Sequence, residues 1–261
     1  MDQLYKNKLD WGVQVSRGNI LNAEVVHIFG MANVGTTFSP IADGLAYRTP
    51  QVGSATALRI KAGGNAADTA AGAGARSVRL TGLNATGDVV SEVLTTAGAS
   101  ASAATSAEFI RLFEAEVVDS GTYGTQSAGS HVGDIVIENA TGGTDWATIP
   151  VNGFPTANTS IGSYTIPRNH TGFVQGMSIA VEGAKLVDVL MLQRNGVLDT
   201  AAPYSPVKRV QEWIGVDTNL VDEFEMPLIF EELTDIGMLA KVSNGTGNVS
   251  IQMDILLLKN E

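Results

Sequence analysis

From Ile161 onward the chain alternates between apolar-rich runs and turn residues, with a turn about every 12 positions, the spacing of a sandwich or barrel. Ile161–Pro167, Gly172–Glu182, Lys185–Arg194, Val207–Gly215, Leu220–Phe230, Asp235–Ser243 and Asn248–Leu258 all read as strands. In the last of these, Ile251, Met253, Ile255 and Leu257 fall on one face. Gln252 and Asp254 lie opposite, joined by Leu256 and Leu258, so its far end is expected to be covered on both sides. No long segment carries a convincing helical period. The expected fold is mainly β, with antiparallel β-sandwich or jelly-roll-like domains and an extended N-terminal arm.

The N-terminal half is less regular. Trp11–Arg17 alternates and reads as a strand, as does Asn22–Gly30. The 26 residues from Met31 to Thr56 hold no period and read as a loop, which suggests either a mobile tail or a segment ordered by a partner. Leu58–Lys61 is a short strand, and Ala62–Ala75 is an Ala/Gly stretch in which a weak helix is the nearest regular option. Arg76–Thr96 reads as a hairpin around Asn84–Asp88. Val78, Leu80, Val89 and Val93 supply its apolar positions, and Arg79, Thr81 and Ser91 are expected to face water. Phe109–Asp119, Ile135–Glu138 and Trp146–Ile149 follow as strands. Gly, Pro and Asn gather in Val151–Asn158, which reads as a boundary. The expected division is an attachment arm over 1–50, a small β domain over 51–152 and a sandwich over 155–261.

Charge narrows the partners. With 27 acidic and 16 basic residues the net charge is -11, which argues against nucleic acid or anionic lipid as a partner. The sequence has no cysteine, which excludes disulfides, thiolate metal sites and a cysteine nucleophile. The N-terminus lacks the apolar core of a signal peptide, and no run is long enough to span a membrane as a helix. Six Asn-X-Ser/Thr sequons reflect an Asn/Ser/Thr-rich composition.

Candidate chemistry is sparse. Gly72-Ala73-Gly74 lacks the further residues of a phosphate loop and reads as linker. Ser130, His131 and Asp134 contain the residue types of a hydrolase, but neighbours on an extended chain point apart, and no nucleophile elbow occurs. His27 and His170 have no partners at metal-ligand spacing. Glu223, Glu225, Glu231, Glu232 and Asp235 form an acidic cluster for which three accounts compete. The favoured one is a solvated strand edge kept polar against sheet recruitment. The others are a calcium site and a glycosidase carboxylate pair. No catalytic, metal or cofactor residue is assigned. Tyr123, Trp146, Tyr204 and Trp213 are the aromatics that a glycan-binding surface would use, although core or edge packing is the plainer role.

Four phrases add a resemblance: WGVQVSRGNI from Trp11, GARSVRLTGLNATGDVVSEVLTT, IGSYTIPRNHTGFVQGMSIAVE, and MPLIFEELTDIGMLAKVSNGTGNVSIQMDILLL. Together they resemble a family of virion structural proteins of marine tailed phages. The likeness runs with gaps from about residue 11 to 258, while residues 31–75 do not match it. It implies a non-enzymatic virion protein, such as a capsid decoration, head-fibre or turret protein. Such a protein would bind the major capsid protein or other virion proteins as a trimer or pentamer. A tail-fibre module recognising host glycan is the alternative, and a carbohydrate-active enzyme using the carboxylates near Glu231 comes third. The family pattern carries over no functional residues.

Overall fold

The computed structural model describes residues 11–42, 55–122, 129–151, 156–182, 185–199 and 201–260. Nearly every regular element among them is a strand, and every strand pairing is antiparallel. The mainly β expectation holds.

Two sheets share one core. The first has the order β1 (Ala23–Val34), β16 (Gly247–Lys259), β11 (His170–Val181), β14 (Leu220–Phe230). The second runs β10 (Tyr164–Thr165), β15 (Asp235–Val242), β12 (Val187–Arg194), β13 (Lys208–Val216), with β2 (Ser39–Pro40) also on β15. From β11 onward the chain changes sheet at every connection except β12 to β13. Period-2 alternation supplies the core between the layers. Val174, Ile179, Ile251, Met253, Ile255 and Leu257 come from the first sheet, facing Val189, Met191, Met238 and Val242 of the second. On the other face of β16, Leu256 is also buried and Leu258 is half-buried, as its covered far end requires.

A second core lies between two smaller sheets. One has the order β6 (Glu108–Phe109), β3 (Thr56–Ile60), β8 (Ile135–Asn139), β9 (Asp145–Ile149); the other is β5 (Val89–Thr95), β4 (Ala75–Leu83), β7 (Arg111–Ser120). Leu58, Val78, Leu80, Phe109, Ile137 and Ile149 fill it. The β4–β5 hairpin forms as its sequence predicts. Asn84 closes the turn, its side-chain oxygen accepting from the Thr86 and Asp88 backbone N–H groups at 2.9 and 3.0 Å. Its outward face differs from expectation, however. Val93 pairs with Arg79 and Val89 with Leu83, so both valines stand on the Arg79/Thr81 side, about half exposed; Leu94 supplies the buried contact.

Three segments depart from their expected form. Trp11–Ser16 is a short helix, α1, where alternation predicted a strand. Arg17 donates to the Val13 carbonyl, and Gly18 at φ +69° ends the turn, a left-handed position that glycine fills without strain. Val15 is therefore buried while Val13 is exposed. Met31–Val34 and Ser39–Pro40, expected as loop, belong to strands, while residues 43–54 lie outside the described ones. Ala62–Gly74 forms no helix and folds as turns.

Much of the expected arm is thus built into the main sheets, although its residues 1–10 lie outside the described ones, as do 152–155 of the expected boundary. β1 pairs with β16 over twelve residues, from Ala23↔Leu258 to Val34↔Gly247. It packs so closely that a Cβ on Gly30 would lie 2.4 Å from the Gly162 Cα, backbone that has no room to yield. The two cores meet where Phe113 stacks on Tyr164, with ring centroids 4.4 Å apart.

Candidate functional site

The serine–histidine pair is a real contact. Residues 129–134 bend where an extended chain was assumed, so Ser130 Oγ lies 2.8 Å from His131 Nδ1. Asp134 does not complete a triad. Its carboxylate accepts instead from the Val151 N–H at 2.7 Å. Both Ser130 and His131 are 4% exposed. The group that organises this loop is Asp68, also buried. Its carboxylate accepts from the N–H groups of Ala75 (2.8 Å), Val132 (3.0 Å) and Gly133 (2.9 Å).

Burial pushes the His131 imidazole below its ordinary value of 6.5, against an opposing pull from the nearby Asp68 charge. The folded protein therefore holds the ring neutral at a pH where an unfolded chain would already protonate it. That contribution to stability is complete above about pH 6.5 and declines as pH falls below it. Urea midpoints taken from about pH 8 down to about pH 5 are expected to fall less steeply for His131→Asn than for the wild type. Parallel curves would exclude His131 as a source of the acid sensitivity.

The other histidines are used locally. His27 Nδ1 is 2.7 Å from Asp254 Oδ1 on the surface, and His170 Nδ1 is 2.8 Å from the Arg168 carbonyl oxygen. Among the described residues no group of three or more His, Cys, Asp or Glu gathers as a metal site.

The acidic cluster disperses. Asp235 is withdrawn into the interior against Arg111, and Glu232 accepts from the Asn169 N–H. Glu223 and Glu225 stay on the edge strand β14, where they line an open groove of about 690 Å³ with Gln175, Gln252 and Asp254. Both glutamates are exposed on the open side of that strand. Edge protection accounts for β14 better. Its pairing with β11 slips between Val174 and Gly176, and Pro227 removes a donor, two devices that blunt an open strand.

Of the candidate aromatics, Trp146 and Trp213 are core residues, donating to Asn139 and Asp222 at 2.6 and 2.7 Å. Tyr204 is 41% exposed, and Tyr123 lies outside the described residues.

What the residue pattern did not single out is an apolar surface. β13 and β14 are the edges of their sheets on one side of the sandwich, joined by the Trp213–Asp222 bond. They expose Ile214 (75%), Val221 (70%), Met226 (79%) and Ile229 (63%). Isolated exposed aliphatics are ordinary, but Val221, Met226 and Ile229 lie along the one strand β14, whereas Ile214, next in the chain to the core residue Trp213, faces outward from the second sheet. The signal in the sequence was phase: Val221 shares a phase with Glu223 and Glu225, and Met226 precedes the strand-breaking Pro227.

No protein-family model matches this chain, and no curated protein matches it. Among solved structures, a mutant VP2 protein of infectious bursal disease virus from derived T=1 particles overlays 97% of this chain and 80% of its own, at 8% identity and a TM-score of 0.22. A chain from a structure of the Gt strain of infectious bursal disease virus overlays 90% of this chain and 75% of its own, at 7% identity and a TM-score of 0.21. Overlays this loose transfer neither role nor partner.

Proposed function

We propose that this protein is a non-enzymatic structural component of a phage virion, bound as an oligomer to the outer surface of the head. The observation that carries this reading is the row of exposed aliphatics on the edge strand β14, Val221, Met226 and Ile229. Such residues cost little in a chain that is buried against neighbours on the particle, and they invite aggregation in one that is not. The resemblance to virion proteins of tailed phages supports the same place. Many weak contacts repeated over a shell hold an assembled lattice by multivalency. Decoration, head-fibre and turret roles all use this logic, with the major capsid protein or another virion protein as the partner.

Copy number tests the reading. Quantitative mass spectrometry of purified particles is expected to find this chain at a stoichiometry tied to capsid subunits or vertices; its absence from particles would end the proposal. The double variant Met226→Glu/Ile229→Glu is expected to unfold within about 1 kcal/mol of the wild type, because both side chains are solvent-exposed. Sedimentation should nevertheless show it losing self-association, and its binding to stripped particles should be lost too. Unchanged association would move the interface elsewhere. The alternative, a tail module that recognises host glycan, rests on the exposed Tyr204 ring; binding on a glycan array that Tyr204→Ala abolishes would favour it.

A further inference from the structure

Where the two cores meet, one carboxylate faces two guanidinium groups. Asp235 Oδ1 accepts from Arg111 Nε at 2.9 Å and from Thr165 Oγ1 at 2.6 Å, and Oδ2 accepts from Arg111 Nη2 at 2.7 Å. Arg111 thus grips the carboxylate through both oxygens. Arg194, opposite Asp235 in the β12–β15 register, comes no nearer than 3.9 Å through its Nε. Its Nη2 makes one long contact, 3.4 Å to the Gly196 carbonyl. Nε and Nη1 have no hydrogen-bond partner, although the residue is 1% exposed. The hydroxyl of Thr234, next to Asp235 in the chain, is also buried without a partner.

Native interiors rarely strand donors in this way, and a guanidinium cannot escape by giving up its proton. Arg111 and Arg194 carry two positive charges against the single negative one of Asp235. The other ionisable groups felt by Arg194, Asp199 and Tyr204, come from the loop that follows β12 and are exposed. A water molecule would supply lone pairs there but no charge. An anion supplies both.

We propose that the free Nε–Nη1 side of Arg194 is a binding site for a small monovalent anion of halide size. Full burial of the guanidinium argues against a bulky or polyvalent ion, which would bring a larger desolvation cost into the junction. The ion would complete the charge balance between the cores and act as a structural ligand.

The test compares thermal unfolding in sodium chloride and in sodium gluconate at equal ionic strength, with crystals grown from sodium bromide. The expected result is a midpoint that rises with chloride, by a constant increment per tenfold increase once the site is filling, and does not rise with gluconate. Arg194→Met should lose this difference, and an anomalous bromide peak should lie within contact of Arg194 Nε and Nη1 in the wild type. Equal midpoints in the two salts, a chloride effect that survives in Arg194→Met, or a non-anomalous water at the site would each overturn the proposal. Should Arg194→Met fail to fold, the bromide peak in the wild type decides alone.

Discussion

Asp235→Ala is expected to lower the unfolding free energy by about 3–5 kcal/mol, the usual penalty for leaving buried charges uncompensated. The residue is 2% exposed and is the shared acceptor for Arg111, Thr165 and the approach of Arg194. Its removal strands two guanidinium groups with no carboxylate between them. Urea unfolding followed by tryptophan fluorescence measures the loss, read in variants that keep only Trp146 or only Trp213 so that each core is followed separately. Both reporters should shift together, because Arg111 belongs to β7 of the smaller unit and Asp235 to β15 of the sandwich. Replacing the cluster as a whole, Arg111→Met with Arg194→Met and Asp235→Leu, should recover much of the loss, because the desolvation cost disappears along with the attraction. A single Asp235→Ala variant that unfolds within about 1 kcal/mol of the wild type would show that the cluster contributes little.

Asp68→Ala should be the next most damaging change, at roughly 3 kcal/mol, because hydrogen bonds to a charged acceptor exceed neutral ones and their loss leaves buried donors unmet. Three backbone N–H groups on two separate segments converge on this carboxylate. Asp68→Asn keeps one acceptor oxygen and is expected to fall between alanine and the wild type. Hydrogen exchange gives the local readout: the amides of Ala75, Val132 and Gly133 should lose protection before those of β11 and β16. Protection that falls evenly across the molecule would mean that Asp68 does not staple these loops.

The C-terminal strands were legible because burial on one face writes a period of two into the residues, as in Ile251, Met253, Ile255 and Leu257. Asn84 and Gly87 likewise announced the hairpin turn. Where the sequence misled, a contact invisible to the pattern outweighed local preference. Val13 and Val15 alternate, yet the N–H groups of Arg17 and Gly18 close a helical turn on their carbonyls. Ala62–Gly74 looks like a spacer, since the side chain that orders it is one aspartate with distant partners, Val132 and Gly133. Ser130 and His131 meet because the chain bends between them, which pattern alone does not encode. Arg111 and Arg194 sit in apolar strands, and a cation in such a setting hints at a buried partner. Nothing local identifies that partner as Asp235, a member of the acidic cluster read as surface. The exposed edge escaped notice for a related reason: an aliphatic residue on an outward phase looks the same whether a neighbour covers it or not.

His27 and Asp254 are 227 positions apart in the chain and side by side in the first sheet. A ribosome must therefore add the 227 positions between them before β1 finds the strand that completes it. Until then its apolar inward positions, Ile28 among them, have no β16 to pair against and remain open to other chains. Assembly of this protein in a crowded cell should accordingly be slow and sensitive to concentration, with the largest soluble yield at low temperature or low expression.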